Sequence, residues 1–142
     1  MADPISLEVI TATDTAVKEE IHELYIPAYY GEAGILADHL PFISILKFGE
    51  ISYRDVKGEN HYLYIENGFM EVRDNRIVII SDLTIRAEDL DPGDIDSAMK
   101  EINKKIKSAS EGEITVTELE DAILEQKKLK AKSEIIKKVN IK

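Results

Sequence analysis

The residues best suited to chemistry in this 142-residue chain are its three histidines, and their spacing argues against it. His22-Glu23 opens like the zinc-binding HExxH, in which two histidines one helical turn apart share a metal, but position 26 is Ile. His22, His39 and His61 lie in separate segments, and none has a second ligand at metal spacing. No GxxxxGK[ST] loop and no GxGxxG turn is present to cradle phosphates, and no serine sits in a nucleophile elbow. Carboxylates are so numerous, 28 Asp and Glu, that pairs arise by accident and carry little weight. The absence of cysteine excludes disulfides and thiolate metal sites. A small enzyme with a His/Glu site is therefore the weaker reading. The stronger one is an interaction module with no catalytic residue, no metal and no cofactor.

The elements that would carry such a module change character once along the chain. Ile5, Leu7 and Val9 alternate with polar residues, as does Ile51-Ser52-Tyr53-Arg54, which is the period of a half-buried strand. His61 to Ile65 and Ile77 to Ile80 are β-branched or aromatic runs. Lys57-Gly58-Glu59-Asn60 parts two strands. Asp74-Asn75 parts Phe69–Arg73 from Arg76–Ser81 with two residues that tolerate positive φ. Many short strands with regular turns predict a sandwich or barrel. After Leu90 the period becomes helical: Ile95, Met99, Ile102, Ile106 and Ala109 share one face. Asp91-Pro92 supplies an N-cap and first helical residue, Ser108 to Gly112 a turn, and Thr117-x-x-Glu120 a capping box for a second helix. The second helix carries the apolar stripe Val116, Leu119, Ile123, Leu129, Ile136 and Val139. The expected fold is α+β: residues 1–90 as a β-sandwich, and 91–142 as an antiparallel two-helix hairpin.

Charge divides at nearly the same place. Residues 1–93 hold 7 Lys/Arg against 18 Asp/Glu, net −11, whereas 94–142 hold 11 against 10, net +1. The acidic body argues against nucleic-acid binding. The last helix carries a basic stretch, Lys127, Lys128, Lys130, Lys132, Lys137 and Lys138, which reads either as a solvated face or as a docking face for an acidic protein. No apolar run approaches the roughly 18 residues of a membrane span, and Met1-Ala2-Asp3-Pro4 lacks the features of a secretion signal. Membrane association is expected only through a partner.

Four motifs in order carry a resemblance that composition cannot supply. The run from Gly31 through Glu32, Gly34 and His39 to Pro41 resembles the GEFGVLPGHAP-type loop of ε subunits of bacterial-type F-type ATP synthases. Leu46-Lys47-Phe48-Gly49-Glu50-Ile51 is similar to that family's LKPG-V stretch, Asn67 to Ile77 to its GGFVEVQDNRV hairpin, and Arg86 to Asp91 to the hinge before its helices. Two departures stand out: Ala37-Asp38 replaces the Pro-Gly before the histidine, and Tyr29-Tyr30 precede Gly31 where smaller polar residues are common.

The resemblance implies a ten-stranded β-sandwich followed by a helical hairpin, in a non-catalytic rotor subunit that couples ion translocation to ATP synthesis. It implies the γ subunit and the membrane c-ring as partners. It places Gly31, Glu32, Gly34, His39 and Pro41 in the loop against the c-ring, and Asp91, Pro92 and Gly93 at a hinge. It also implies an arm able to insert between catalytic β subunits and inhibit hydrolysis, and a peripheral site on the cytoplasmic face of a bacterial plasma membrane. Some family members bind ATP through [IL]-D-x-x-R-A at the hinge. Here Asp94 and Ile95 occupy the Arg and Ala positions, so attraction for phosphate becomes repulsion and no ATP binding is expected. A free-standing β-sandwich adaptor for another protein is the alternative.

Overall fold

The computed structural model describes residues 3–28 and 31–140; the Tyr29-Tyr30 departure lies outside the described residues. The chain forms two compact units, residues 1–87 and 88–142.

Among the described residues the first unit holds seven strands: β1 (Ile5–Ile10), β2 (Thr15–Ala28), β3 (Gly31–Leu36), β4 (Phe42–Leu46), β5 (Gly49–Asp55), β6 (Asn60–Arg73) and β7 (Arg76–Arg86). β1 runs parallel to β7 and antiparallel to β2, β5 joins β2 to β6, and β6 pairs with β7, so these five strands close a ring. β4 lies against β6 and meets β2 at Ala28↔Leu46, while β3 pairs along the far half of β2.

The expected ten strands are seven because three of them are long and serve two stretches of sheet. In β2 the inward residues are Val17 and Ile21, then Leu24 and Ile26, so the inward parity changes between them. The cause is a bulge: the register against β5 slips between Ile21 and Glu23, which inserts an extra residue and turns the strand over. In β6 the change falls at Asn67, whose φ is 46°: Leu63 and Ile65 point inward before it, Met70 and Val72 after it. β7 follows β6 in constant register past this point. Counting the halves of β2, β6 and β7 separately recovers ten.

One core results, with inward side chains from all seven strands, including Ile5, Leu7, Ile35, Leu46 and Ile51 at 2% exposure or less. Each buried aliphatic of this size contributes about 1.5–3 kcal/mol. The turns follow local chemistry. Asp74 and Asn75, at φ 52° and 57°, form the tight turn that the right-handed twist of a hairpin favours.

The second unit is a hairpin of α1 (Pro92–Ser110) and α2 (Val116–Asn140). Asp91 caps α1, its carboxylate accepting from the amides of Gly93 (2.8 Å) and Asp94 (3.3 Å), with Pro92 in the first turn, where its missing N–H costs nothing. α1 ends at Gly112 (φ 76°), where the Gly112 and Glu113 amides return to the carbonyls of Ala109 and Ser108. The α2 cap differs from expectation: the Glu118 amide donates to Thr115 Oγ1 at 3.1 Å, two residues before the expected Thr117 box. Both threonines have a Glu three residues on, and the earlier one wins because Val116 already begins the helix. Gln126 Nε2 donates to Asn103 Oδ1 at 2.9 Å, which fixes the antiparallel register. The buried residues of α2 are Ala122, Leu129 and Ile135, whereas Ile123 and Val116 are 37% and 73% exposed. The expected stripe was thus partly misplaced.

Candidate functional site

The segment expected to be a contact loop is half strand. Gly31–Leu36 is β3, paired with β2 from Ala28↔Gly31 to Glu23↔Leu36, and only residues 37–41 form a turn. Glu32 and Gly34 are exposed on β3. Gly34 has a packing reason to be glycine, since an added Cβ would lie 3.0 Å from the Tyr25 ring. Four residues of extended chain separate Glu32 from Leu36, about 13 Å. Glu32 therefore stands at one end of the strand and His39 beyond the other.

The turn itself is closely held. The His39 amide donates to the Leu36 carbonyl at 3.2 Å, Asp38 takes φ 63°, and Ala37 precedes it with no positive φ. This is the geometry in which glycine is usual at the third turn position, and Asp38 fills it. Asp38 also meets the β6–β7 hairpin: its amide donates to Asn75 Oδ1 at 2.6 Å, and Asn75 Nδ2 donates to Asp38 Oδ1 at 3.1 Å. His39 Nδ1 lies 2.7 Å from the Leu40 carbonyl, and its ring meets Phe42 edge-on at 5.8 Å. Pro41 is exposed at the exit.

Beside this turn the sheet presents an apolar outer face that the sequence reading missed. Ile45, Phe69, Ile80 and Ile10 stand opposite one another across β4, β6, β7 and β1. Ile43, Glu71, Val78 and Glu8 form the next row. Residues directly opposite in a sheet share a face, so six apolar side chains lie together. Ile43, Ile45 and Ile80 are more than half exposed, and Phe69 is 42% exposed. The signal was legible in Ile77-Val78-Ile79-Ile80: a strand apolar on both faces has something to cover each.

His61 has partners that its sequence neighbourhood did not predict. Its Nε2 lies 2.8 Å from Asp55 Oδ2, its ring stacks on Tyr53 at 4.8 Å, and the Tyr53 hydroxyl donates to Glu19. The ligand-type atoms of Glu19, Asp55 and His61 fall within 4.8 Å of one another. Asp55 Oδ1 also accepts the amides of Lys57 and Glu59 at 2.9 and 3.0 Å. The His61 bond, then these amides, hold the Asp55 carboxyl below its ordinary value. Each member of the group thus has a hydrogen bond: Asp55 and His61 close the β5–β6 hairpin, and Glu19 ties β2 to β5 through Tyr53. His22 lies at the β2 bulge and His39 in the turn, so the three histidines stay apart.

At the basic end of α2, Lys127, Lys130, Lys137 and Lys138 are exposed, and Lys128 and Lys132 are half-buried. Lys137 pairs with Glu134 at 3.3 Å. No helix among the described residues is long and apolar enough to cross a membrane.

A closed β-sandwich with one exposed apolar face and a pinned turn, continued by a helical hairpin, defines a protein built for contacts rather than turnover. Residues 4–87 match the model of the family described as ATP synthase, Delta/Epsilon chain, beta-sandwich domain. The ATP synthase epsilon chain of Dichelobacter nodosus is 35% identical over 114 residues, covering 80% of this chain and 79% of that one. That of Koribacter versatilis is 33% identical over 109 residues, covering 77% and 76%. A chain in the structure of the Euglena gracilis mitochondrial ATP synthase, OSCP/F1/c-ring, superposes with a TM-score of 0.72 at 19% identity, covering 97% of this chain and 80% of that chain. The chain belongs to the ATP synthase delta/epsilon family. It is a non-catalytic rotor subunit of the central stalk.

Proposed function

We propose that this subunit couples the c-ring to ATP synthesis by docking the γ subunit on the outer face of the sandwich while the Gly31–Pro41 segment meets the polar loops of the c-ring. The observation that carries the reading is the pair of apolar rows across β4, β6, β7 and β1, with Ile45, Phe69 and Ile80 exposed. A face of this kind is a docking surface or a liability, and a rotor subunit needs a partner held through every turn. Glu32 on β3 and His39 in the turn supply two polar contact points near the two ends of the Gly31–Pro41 segment, with Gly34 and Pro41 exposed beside them. The subunit then sits peripherally on the cytoplasmic face of the membrane, held there by its partners.

Asp91, Pro92 and Gly93 act as the hinge of an arm formed by α1 and α2. In the open state its basic end docks on the acidic segment of the catalytic β subunits and restrains hydrolysis. The lysines on α2 support this arm role through opposite charge, which steers docking and adds modest, salt-sensitive affinity.

The test of the docking face is Phe69→Asp combined with Ile45→Asp in the full chain. Two carboxylates in a desolvated interface lower γ affinity at least about 100-fold, while far-UV circular dichroism stays at parent values because both side chains face outward. Undiminished co-purification with γ would remove this face from the γ interface, and a parent chain that fails to co-purify with γ at all would favour the adaptor reading.

A further inference from the structure

We propose that Asn75 is the positioning residue for the His39 turn: its side-chain amide grips Asp38 at two points and replaces the conformational freedom that a glycine would give there. The inference rests on the reading that this turn is a coupling contact, and its test separates the two.

Asp38 carries φ 63°, a left-handed conformation that costs an L-residue energy unless something offsets it. The offset comes from 37 residues away. Asn75 Oδ1 accepts the Asp38 amide at 2.6 Å, and Asn75 Nδ2 donates to Asp38 Oδ1 at 3.1 Å. The amide orientation is unambiguous, because a backbone N–H only donates and a carboxylate only accepts. A glycine at position 38 would keep the first bond and forfeit the second. Asp38 is therefore not a weakened glycine but half of a matched pair.

Asn75 is itself fixed before it reaches the turn. Its φ of 57° is set by the hairpin with Asp74, and its carbonyl accepts the Ser6 amide at 3.0 Å. β1 and the β6–β7 hairpin thus form a rigid post, and the Asn75 side chain transmits its position to Asp38. The neighbouring His39 then has little freedom: its amide is bound to Leu36 and its ring meets Phe42. Ala37 anchors one end of the turn on the core, the Asn75 clamp sets the orientation of its tip, and a torque-bearing contact needs one orientation.

The informative variant is Asn75→Gly. Glycine keeps the positive φ of the hairpin and the carbonyl bond to Ser6, so only the clamp is lost. In the full chain, amide exchange at Asp38 measured by NMR should rise roughly tenfold, with the Arg73–Arg76 hairpin amides unchanged. In assembled complexes that retain the subunit, ions pumped per ATP hydrolysed should fall. Asp38→Gly should relieve the strained φ in the Asn75→Gly background and protect the fold there, but give no such gain in the parent, where it also breaks a bond. Unchanged exchange at Asp38 in Asn75→Gly overturns the clamp. Faster exchange with undiminished pumping supports the clamp and overturns the coupling role of the turn.

Discussion

Gly68→Ala tests how closely β6 and β7 approach behind the apolar face. A Cβ built on Gly68 lies 2.5 Å from the Ile80 carbonyl oxygen and 3.3 Å from Ser81 Cα. Carbon–oxygen contacts in sheets settle at about 3.3–3.6 Å, so the two backbones must part by roughly 0.8 Å. Backbone yields less readily than the end of a side chain. The neighbouring pairs Phe69↔Ile80 and Met70↔Ile79 must move with it. Overpacking of this kind costs about 1–3 kcal/mol, and replacing glycine in a strand returns about 0.5–1 kcal/mol. Because the contact at 2.5 Å is with backbone, the cost falls in the upper half of that range, about 2–3 kcal/mol, and the net is about 1–2.5 kcal/mol, or a fall in Tm of roughly 5–20 °C for a unit of this size. Gly58 provides the contrast: its φ is 87° and nothing lies within 4 Å of an added Cβ, so Gly58→Ala carries only conformational strain of about 1 kcal/mol. Larger residues separate the two causes. Asn tolerates positive φ, so Gly58→Asn should recover most of the loss, whereas Gly68→Asn should deepen it. Thermal and urea unfolding of the full chain followed at 218 nm reads all four. A Gly68→Ala protein within about 0.5 kcal/mol of the parent would refute the steric argument.

Asp55 makes stability acid-sensitive: its folded-state value lies below the ordinary 3.8, so its contribution is present above that value and lost as pH falls through the folded one. Urea midpoints should therefore fall more steeply below about pH 4 in the parent than in Asp55→Ala, and parallel curves would contradict this assignment. The isolated subunit should give no binding heat with ATP, because Asp94 takes the Arg position of the nucleotide motif that the resemblance implies and Asp91 caps α1; sub-millimolar affinity by calorimetry would reverse that view. Truncation after Asp91 should raise ATP hydrolysis by the assembled complex without loss of assembly. Charge reversal at Lys127, Lys128 and Lys130 should give part of that rise, more at low salt. Equal rates across salt and nucleotide conditions would make the arm structural.

What could be read from sequence was what local chemistry decides. The alternation at Ile5, Leu7 and Val9, the Asp74-Asn75 turn and the Asp91-Pro92 cap depend on neighbours within a few residues, and each stands in the structure as expected. What depends on distant partners was not legible. The reversal of inward parity at His22 and Asn67 exists because one strand serves two stretches of sheet. The stripe of α2 shifted from Ile123 to Ala122 because a close helix pair favours a small residue at its contact, whatever the hydropathy of the next position. Glu32 and His39 read as one loop because glycines flank them, yet Gly31 and Gly34 lie in β3. The Asp38–Asn75 pair has no sequence signature beyond two residues that tolerate positive φ.

The outer face of the sandwich constrains its own partner. Its two rows are apolar except for Glu71 and Glu8, which flank Val78 in the second row. Covering Ile43, Ile45, Phe69 and Ile80 removes apolar surface from water, but the same contact would desolvate two carboxylates. A buried, unpaired carboxylate costs more than one aliphatic side chain returns. The covering surface must therefore bring a cation opposite Glu71 and Glu8, or leave that row at a wet rim. Until it is covered, the acidic body, net −11 over residues 1–93, keeps copies of the exposed face apart by repulsion. The same charges thus keep the uncovered face from self-association and demand of whatever covers it either a cation or a wet rim at that row.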